Sequence, residues 1–232
     1  MTKPAPDVVL LCDPPLRWAL VEAGRVWRTH SHVQVRVLAA SLIQHAELVR
    51  RGARADILIG IGNEQMGTAE RLGAIDPATR IVLGRNPVIL AARGSQAHPA
   101  ALVPGADLGN LLREGRFGLV DPVIGRAGFD ARASLAAVGL WPALEPRSLG
   151  AENTETLTGW LDDGNVGLAA LYRSDLAGHP GLSVAATFSG DAPPVLAAIT
   201  KNVQSAHARD FITFLAGQDG TVILRRAGLE AP

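Results

Sequence analysis

The only cysteine and the aspartate after it, Cys12-Asp13, close an apolar run that begins at Val8. A cysteine acts as a nucleophile in its thiolate form, which a neighbouring base or cation must stabilise. No such partner can be pointed to for Cys12 in the sequence, so we interpret it as a small buried apolar residue. The carboxylate of Asp13 is a second candidate, because it stands where a strand pattern gives way to a helical one.

Two further pairs of polar side chains have spacings that metal sites and acid–base sites also use. His30 and His32 are two residues apart, but no carboxylate or cysteine lies near them in the sequence. Asp162 and Asp163 stand at the end of a helical pattern, where charged side chains are usually solvated. We therefore predict a solvated turn and a solvated helix end, and neither a metal site nor a catalytic residue.

The common motifs of nucleotide-binding proteins and serine hydrolases are missing. Gly60-Ile-Gly62 begins like a dinucleotide fingerprint, but Gln65 stands where the third glycine belongs, so a tight turn is the better interpretation. Neither lysine follows a glycine, as a phosphate-binding loop requires, and no Gly-x-Ser-x-Gly segment occurs. These observations argue against an enzyme.

The composition is that of a neutral globular chain. Its 232 residues carry 22 basic and 22 acidic side chains, and a neutral chain without a basic run lacks the charge that nucleic acids or anionic membranes attract. No apolar run approaches the roughly 20 residues of a membrane span, and the first one is too short for an export signal. We therefore expect no nucleic-acid partner, no membrane insertion and no signal peptide in the sequence as written.

Short apolar runs alternate with helical patterns along the chain. Strands are expected at Val8–Cys12, Val33–Leu38, Asp56–Gly60, Arg80–Leu83, Val88–Ala92, Phe117–Val120, Val166–Leu171, Ser183–Thr187 and Val195–Thr200. Helices are expected at Leu16–Arg28, Ser41–Arg51, Asn63–Leu72, Asp107–Arg113, Phe129–Val138, Glu152–Leu161, Ser205–Leu215 and Gln218–Arg226. The alternation is typical of α/β proteins with parallel sheets, which bind ligands at the carboxyl ends of their strands.

Five short segments, taken in their order along the chain, resemble one known family. They are Ala55-Asp56, Arg85-Asn86, Glu152-Asn153, Tyr172-Arg-Ser-Asp175, and Phe214-Leu215 followed by Gly220. In this order they resemble the molybdate/tungstate-binding proteins of ABC importers, which have the type II periplasmic-binding-protein fold. The likeness extends from about residue 8 to about residue 230.

The resemblance implies two doubly wound α/β lobes with a ligand cleft between them. The first lobe would comprise residues 1–86 and 190–232, and the second residues 87–189. Crossing strands would lie near residues 85–92 and 184–195. Closure around a ligand would then be a hinge motion.

The family binds a tetrahedral oxyanion with neutral donors: backbone N–H groups at helix starts, capping hydroxyls and one tyrosine. The first turn of a helix has unsatisfied N–H groups and the positive end of the dipole, so it suits an anion. Matched by position, the resemblance implies ligand-binding roles for Ser41, Ile61, Asn153, Thr154 and Tyr172.

Two positions depart from the family pattern and add two candidates. Cys12-Asp13-Pro14-Pro15 replaces a loop with an anion-binding serine, so two backbone donors are lost and the Asp13 carboxylate would repel an oxyanion. Arg126 stands where the family usually has proline, and its guanidinium could hold an anionic group. A small organic anion, or a ligand whose amine faces Asp13, is therefore an alternative to molybdate and tungstate.

Four of the candidates also have a purely structural interpretation, which the sequence leaves open. Asp13 and Ser41 would then only cap helices. Arg126 would be a solvated turn residue, and Tyr172 a core residue with a satisfied hydroxyl.

The resemblance implies a non-enzymatic solute-binding protein that captures a small anion for an ABC permease. It would need no cofactor beyond its bound ligand, act as a monomer and work in the periplasm. Without a signal peptide, a cytoplasmic ligand sensor on the same fold is the alternative. An enzyme that uses Cys12 or Asp13 is a third hypothesis, because a fold does not dictate a function.

Overall fold

A computed structural model describes residues 8–94, 100–105 and 115–232. There the strands are β1 Val8–Cys12, β2 Val35–Ala39, β3 Ile57–Ile61, β4 Ile81–Arg85, β5 Val88–Arg93, β6 Ala100–Leu102, β7 Phe117–Val120, β8 Ser148–Ala151, β9 Leu168–Tyr172, β10 Leu182–Phe188 and β11 Pro194–Ile199. The α-helices of this part are α1 Arg17–Ser31, α2 Leu42–Arg50, α3 Asn63–Arg71, α4 Arg126–Ala137, α5 Trp141–Leu144, α6 Thr154–Asp162, α7 Ala208–Ala216 and α8 Gln218–Arg226. None of the described helices is both long enough and apolar enough to span a bilayer.

The chain divides into two compact units. The first consists of Met1–Asn86 and Pro193–Pro232, and the second of Pro87–Ala192. The chain therefore passes from one unit to the other twice, at residues 86/87 and 192/193. The expectation from the sequence had these borders at 86/87 and 189/190.

The first unit contains a five-stranded sheet in the order β2-β1-β3-β11-β4. Strand β1 is parallel to β2 and β3, whereas β11 is antiparallel to β3 and β4. The expectation of parallel sheets is thus wrong for β11, which enters this sheet only after the chain returns from the second unit. Sequence patterns indicate where a strand lies, but its direction depends on the connection that precedes it.

The second unit contains a six-stranded sheet in the order β6-β10-β5-β9-β7-β8. Strand β7 is parallel to β8 and β9, and β10 is parallel to β6. Strand β5, by contrast, is antiparallel to both β9 and β10, so this sheet is mixed as well. The α/β class is confirmed in both units, each with a sheet and helices.

The first unit has its core where α2 and α3 pack on β1 and β3. Val9, Leu11 and Leu58 from the strands meet Leu42 and Met66 from the helices, and all five are buried. Burying each such side chain contributes about 1.5–3 kcal/mol. Both strands read as continuous apolar runs because they lie in the middle of the sheet.

The fully buried Asp56, directly before β3, forms hydrogen bonds to β1 and to the segment before α7. One carboxylate oxygen accepts the N–H of Val9 in β1 at 2.7 Å. The other accepts the N–H groups of Gln204 at 2.7 Å and Ser205 at 2.8 Å, in the segment before α7. The Ala55-Asp56 segment quoted for the family resemblance therefore has a structural role here.

Three short elements were not expected from the sequence, namely β6, α5 and β8. Each has only three or four residues, too few for a periodic pattern to show. The helix expected at Asp107–Arg113 lies outside the described residues. Strands β1 and β7 and helix α8 have the expected bounds, and the other expected elements differ by one to three residues at one or both ends.

Candidate functional site

Three candidate residues lie together at one edge of the first unit's sheet. Strands β1, β2 and β3 are parallel neighbours, so their carboxyl ends meet at the same edge. Asp13 follows β1, Ser41 stands two residues after the end of β2, and Ile61 is the last residue of β3. The structure thus brings together the sequence candidates of this unit.

The carboxylate of Asp13 joins the other two elements at this edge. Its Oδ1 accepts the N–H of Leu42, the first residue of α2, at 2.8 Å. Its Oδ2 accepts the N–H of Ile61, also at 2.8 Å. Asp13 is only 7% exposed, so both amides hold a nearly buried carboxylate of the chain itself.

Asp13 does not cap the helical turn that directly follows it, which corrects one structural interpretation. The next residues form a 3-10 turn, Pro14–Leu16, in which the Asp13 side chain makes no capping hydrogen bond. Proline has no N–H to offer, so the carboxylate finds its donors on β3 and α2 instead.

Glycine at position 60 allows this close approach. A Cβ on Gly60 would lie 1.9 Å from Cδ1 of Leu42 and 3.1 Å from Oδ2 of Asp13. Any larger residue would therefore displace Leu42 and press on the carboxylate. Gly60 thus leaves the room that the Asp13 carboxylate and Leu42 occupy.

Ser41 caps α2, as its structural interpretation predicts. Its Oγ accepts the N–H of Gln44 at 3.3 Å, and its own N–H is donated to Oε1 of Gln44 at 3.3 Å. This reciprocal pair is a capping box, which satisfies two amides near the helix start. Ser41 is exposed, so the cap does not bury it.

The second unit gathers the remaining four candidates at one edge of its own sheet. Strands β9, β7 and β8 are parallel neighbours, and their carboxyl ends meet there. Tyr172 ends β9, Arg126 begins α4 after β7, and Asn153-Thr154 begin α6 after β8. Two helix starts and a guanidinium thus share this edge.

Tyr172 and Arg126 are linked through Asp130, which the sequence analysis did not single out. The Tyr172 hydroxyl donates to Oδ2 of Asp130, and the Nε of Arg126 donates to the same oxygen at 2.9 Å. The guanidinium also lies over the Phe129 ring, 5.3 Å from its centre. The spacing of four residues from Arg126 to Asp130, one helical turn, is the signal that could have found this partner.

These contacts support the structural interpretation of Tyr172 and contradict that of Arg126. Tyr172 is 1% exposed and its hydroxyl has a partner, so it is also a satisfied core residue. The Arg126 side chain is 23% exposed and paired, so it is not the solvated turn residue of the alternative interpretation.

Asn153 caps α6 with its side chain. Its Oδ1 accepts the N–H of Thr156 at 2.8 Å. The resemblance implies that a backbone N–H at this helix start binds the ligand. The side-chain cap does not test that role, which stays a prediction.

A buried carboxyl supports the backbone at Tyr172. Oδ2 of Asp175 accepts the N–H of Tyr172 at 3.0 Å. Burial raises the pKa of Asp175 from 3.8 to about 7, although this hydrogen bond acts in the opposite direction.

Of the side chains that could serve catalysis or metal binding, Cys12 is buried, whereas His30 and His32 lie at the surface. Cys12 is fully buried, and burial, aided by the neighbouring Asp13, raises the pKa of its thiol above the usual range. His30 and His32 are exposed at the end of α1. Within residues 8–94, 100–105 and 115–232, no three His, Cys, Asp or Glu side chains are grouped as a metal ion would require.

Comparisons with known proteins agree with this architecture. The chain is 27% identical to the molybdate-binding protein ModA of Escherichia coli K12 over 214 residues, covering 90% of this chain and 83% of ModA. The periplasmic molybdate-binding protein of Azotobacter vinelandii superposes with a TM-score of 0.77 at 15% identity, over 97% of this chain and 99% of that one. PEB3 with bound L-phospholactate gives 0.73 at 13% identity, over 97% and 100%.

The chain forms two doubly wound α/β units and passes between them twice, and it shares this fold with the periplasmic binding proteins. The chain belongs to the family of bacterial extracellular solute-binding proteins, whose model matches residues 8–230. This family is a substrate-binding class. Membership therefore favours a solute-binding protein over the alternative of a cytoplasmic sensor.

Proposed function

We propose that this chain captures a small anionic solute outside the cytoplasmic membrane and delivers it to an ABC permease. Its family is described as extracellular, and the Azotobacter relative is periplasmic, which supports a periplasmic location. The role is binding without chemical conversion, and the chain acts as a monomer with no cofactor.

The observation that carries this proposal is the polar edge of the second unit. The starts of α4 and α6 and the side chains of Arg126 and Tyr172 lie at the carboxyl ends of three adjacent parallel strands. Helix starts present N–H groups and partial positive charge, and a guanidinium has five donors in a fixed plane. Together they suit a small anion better than a cation or an apolar ligand.

Two ligand classes follow from the relatives and from this edge. Molybdate or tungstate is supported by the likeness to ModA and to the Azotobacter protein. A small organic anion is supported by Arg126, and PEB3 with its L-phospholactate has the same fold. The proposed ligand-binding residues are Asp13, Ser41, Ile61, Arg126, Asn153, Thr154 and Tyr172.

A thermal-shift panel tests the proposal. The purified chain is heated with molybdate, tungstate, sulfate, phosphate and small carboxylates, each against sodium chloride of equal ionic strength. A ligand at about 100 times its Kd stabilises the folded chain by roughly 2.7 kcal/mol. In a chain of this size that raises the midpoint by about 5–10 °C. A panel in which no anion raises the midpoint would contradict the proposed function.

A further inference from the structure

We infer that the solute is an organic anion with an apolar part, and that Val123, Ile124 and Phe129 contact this part while Arg126 holds the anionic group. The inference rests on the proposed function and names the class of solute for the same edge of the second unit. Molybdate and tungstate have no apolar part and fall outside this class.

The exposure of these three apolar side chains sets them apart. Val123 is 90% exposed, Ile124 61% and Phe129 53%, the three highest values among the large apolar side chains that the structure describes. All three lie within a segment of seven residues, between the end of β7 and the first turn of α4. Single exposed apolar residues are common on protein surfaces, but a local group of them marks a binding surface.

The turn that carries Val123 and Ile124 is held in place through its main chain. Oδ1 of Asp121 accepts the N–H of Val123 at 2.9 Å. The carbonyl oxygen of Asp121 accepts the N–H groups of Ile124 at 3.1 Å and Gly125 at 3.0 Å. A Cβ on Gly125 would lie 2.5 Å from Cγ1 of Val120, so the turn packs directly on the end of β7. These contacts fix the turn while its two aliphatic side chains stay in solvent.

Phe129 lies beside the charge that is proposed to hold the anion. The centre of the Arg126 guanidinium is 5.3 Å from the centre of the Phe129 ring. Asp130 accepts the Nε–H of Arg126 at 2.9 Å, which keeps the guanidinium in this position. An anionic group bound to Arg126 is therefore close to the ring, and carbon atoms attached to that group can cover it.

Charge and apolar contact together define the class of solute. Burying one methylene group of a ligand raises its affinity about fourfold. An exposed aromatic ring offers a large surface for such a contact. An inorganic oxyanion presents only polar oxygens and gains nothing from this surface. A short fatty acid, an aromatic acid or a phosphate ester gains from both the charge and the surface.

Isothermal titration of the wild type with anions of increasing apolar size tests the inference. The carboxylates are acetate, butyrate and hexanoate, and inorganic phosphate is compared with phenyl phosphate. We expect hexanoate to bind at least tenfold more tightly than acetate, or phenyl phosphate at least tenfold more tightly than phosphate, in whichever series the head group binds. Hexanol, which has the chain without the charge, should bind at least tenfold more weakly than hexanoate.

Three results of this titration would overturn the inference. They are affinities that do not rise with the apolar part of the anion, hexanol binding equal to hexanoate binding, and molybdate binding tighter than that of every organic anion tested.

Two variants, Val123→Ser/Ile124→Ser and Phe129→Ala, test the surface itself. All three side chains are exposed, so their replacement leaves the core intact. We expect each variant to lower the affinity ratio of hexanoate to acetate, or of phenyl phosphate to phosphate, at least threefold. Leu48→Ser, at a half-exposed leucine in α2 of the first unit, is the matched control and should leave the ratio unchanged. An unchanged ratio in either variant would overturn the inference, because the surface would then serve another partner.

The inference and the proposed function fail in different ways. A wild type that binds acetate as tightly as hexanoate, or molybdate most tightly of all, keeps the solute-binding function and loses the apolar contact. A wild type that binds no anion at all removes the proposed function, and the inference with it.

Discussion

The hydroxyl of Tyr172 donates a hydrogen bond to the carboxylate of Asp130, which also accepts one from the guanidinium of Arg126. The position that the family resemblance assigns to ligand binding is therefore already part of a buried hydrogen-bonded group. A solute that accepts a hydrogen bond from this hydroxyl has to compete with Asp130. The same contact makes Tyr172 important for folding as well as for binding.

Tyr172→Phe is expected to destabilise the fold by about 1–3 kcal/mol, because Asp130 loses a buried donor. Anion affinity should fall by about 1–2 kcal/mol, the scale of one hydrogen bond. Denaturant unfolding and titration with the tightest panel anion measure the two effects. A double-mutant cycle with Asp130→Asn should give a coupling energy of about 0.5–3 kcal/mol. Additive effects would mean that the two side chains do not interact.

Asp56→Ala is expected to cost about 3 kcal/mol or more, since three main-chain N–H groups lose their acceptor at once. Urea unfolding measures the loss. The control is Asp163→Asn, an exposed aspartate whose replacement should change stability by no more than about 0.5 kcal/mol. A small effect at Asp56 would show that water satisfies these amides.

Gly128→Ala is expected to destabilise the second unit by about 3 kcal/mol or more, since overpacking against backbone leaves no simple relaxation. The new Cβ would lie 1.9 Å from the carbonyl oxygen of Val120, so α4 and Arg126 with it must move. Gly159→Ala, in α6, is the matched control because nothing beyond its chain neighbours and the nearby backbone of its own helix lies within 4 Å of the added Cβ. That change should stabilise by about 0.5–1 kcal/mol, the helix preference of alanine over glycine. Equal effects of the two substitutions would contradict the packing at Val120.

The buried carboxyl of Asp175 predicts a pH dependence of stability. Its pKa is about 7 in the folded chain and 3.8 as the unperturbed value, so the folded state binds the extra proton between these values. The stability that it contributes is complete below the lower value and is lost as the pH rises through the higher one. Asp175→Asn should therefore gain stability relative to the wild type as the pH rises from about 4 to about 7. Parallel curves of unfolding free energy against pH would contradict the raised pKa.

The sequence was sufficient for features that depend on local patterns. The cap at Ser41 and helix α8 follow from capping chemistry and periodicity, and the structure confirms both. The antiparallel direction of β11 could not be predicted from local patterns, because it depends on where the chain returns to the first unit after forming the whole second unit.

In the candidate site, too, local patterns were predictable and contacts between distant parts of the chain were not. Ser41 and Ile61 were candidates by position and Asp13 by its departure from the family pattern, and the structure brings all three to one sheet edge. The bonds from Asp13 to Leu42 and Ile61 span 29 and 48 residues, so no local pattern could have predicted them. Asp130 was overlooked because a single acidic residue inside a helix usually indicates a solvated face.

A crystal structure of the chain with the anion that raises its melting midpoint most tests the central claim directly. We expect an anionic group hydrogen-bonded to Arg126 or to the amides that begin α6, with Asp13 still bound to Leu42 and Ile61. An anion that contacts none of the seven candidate residues would contradict the proposed binding site.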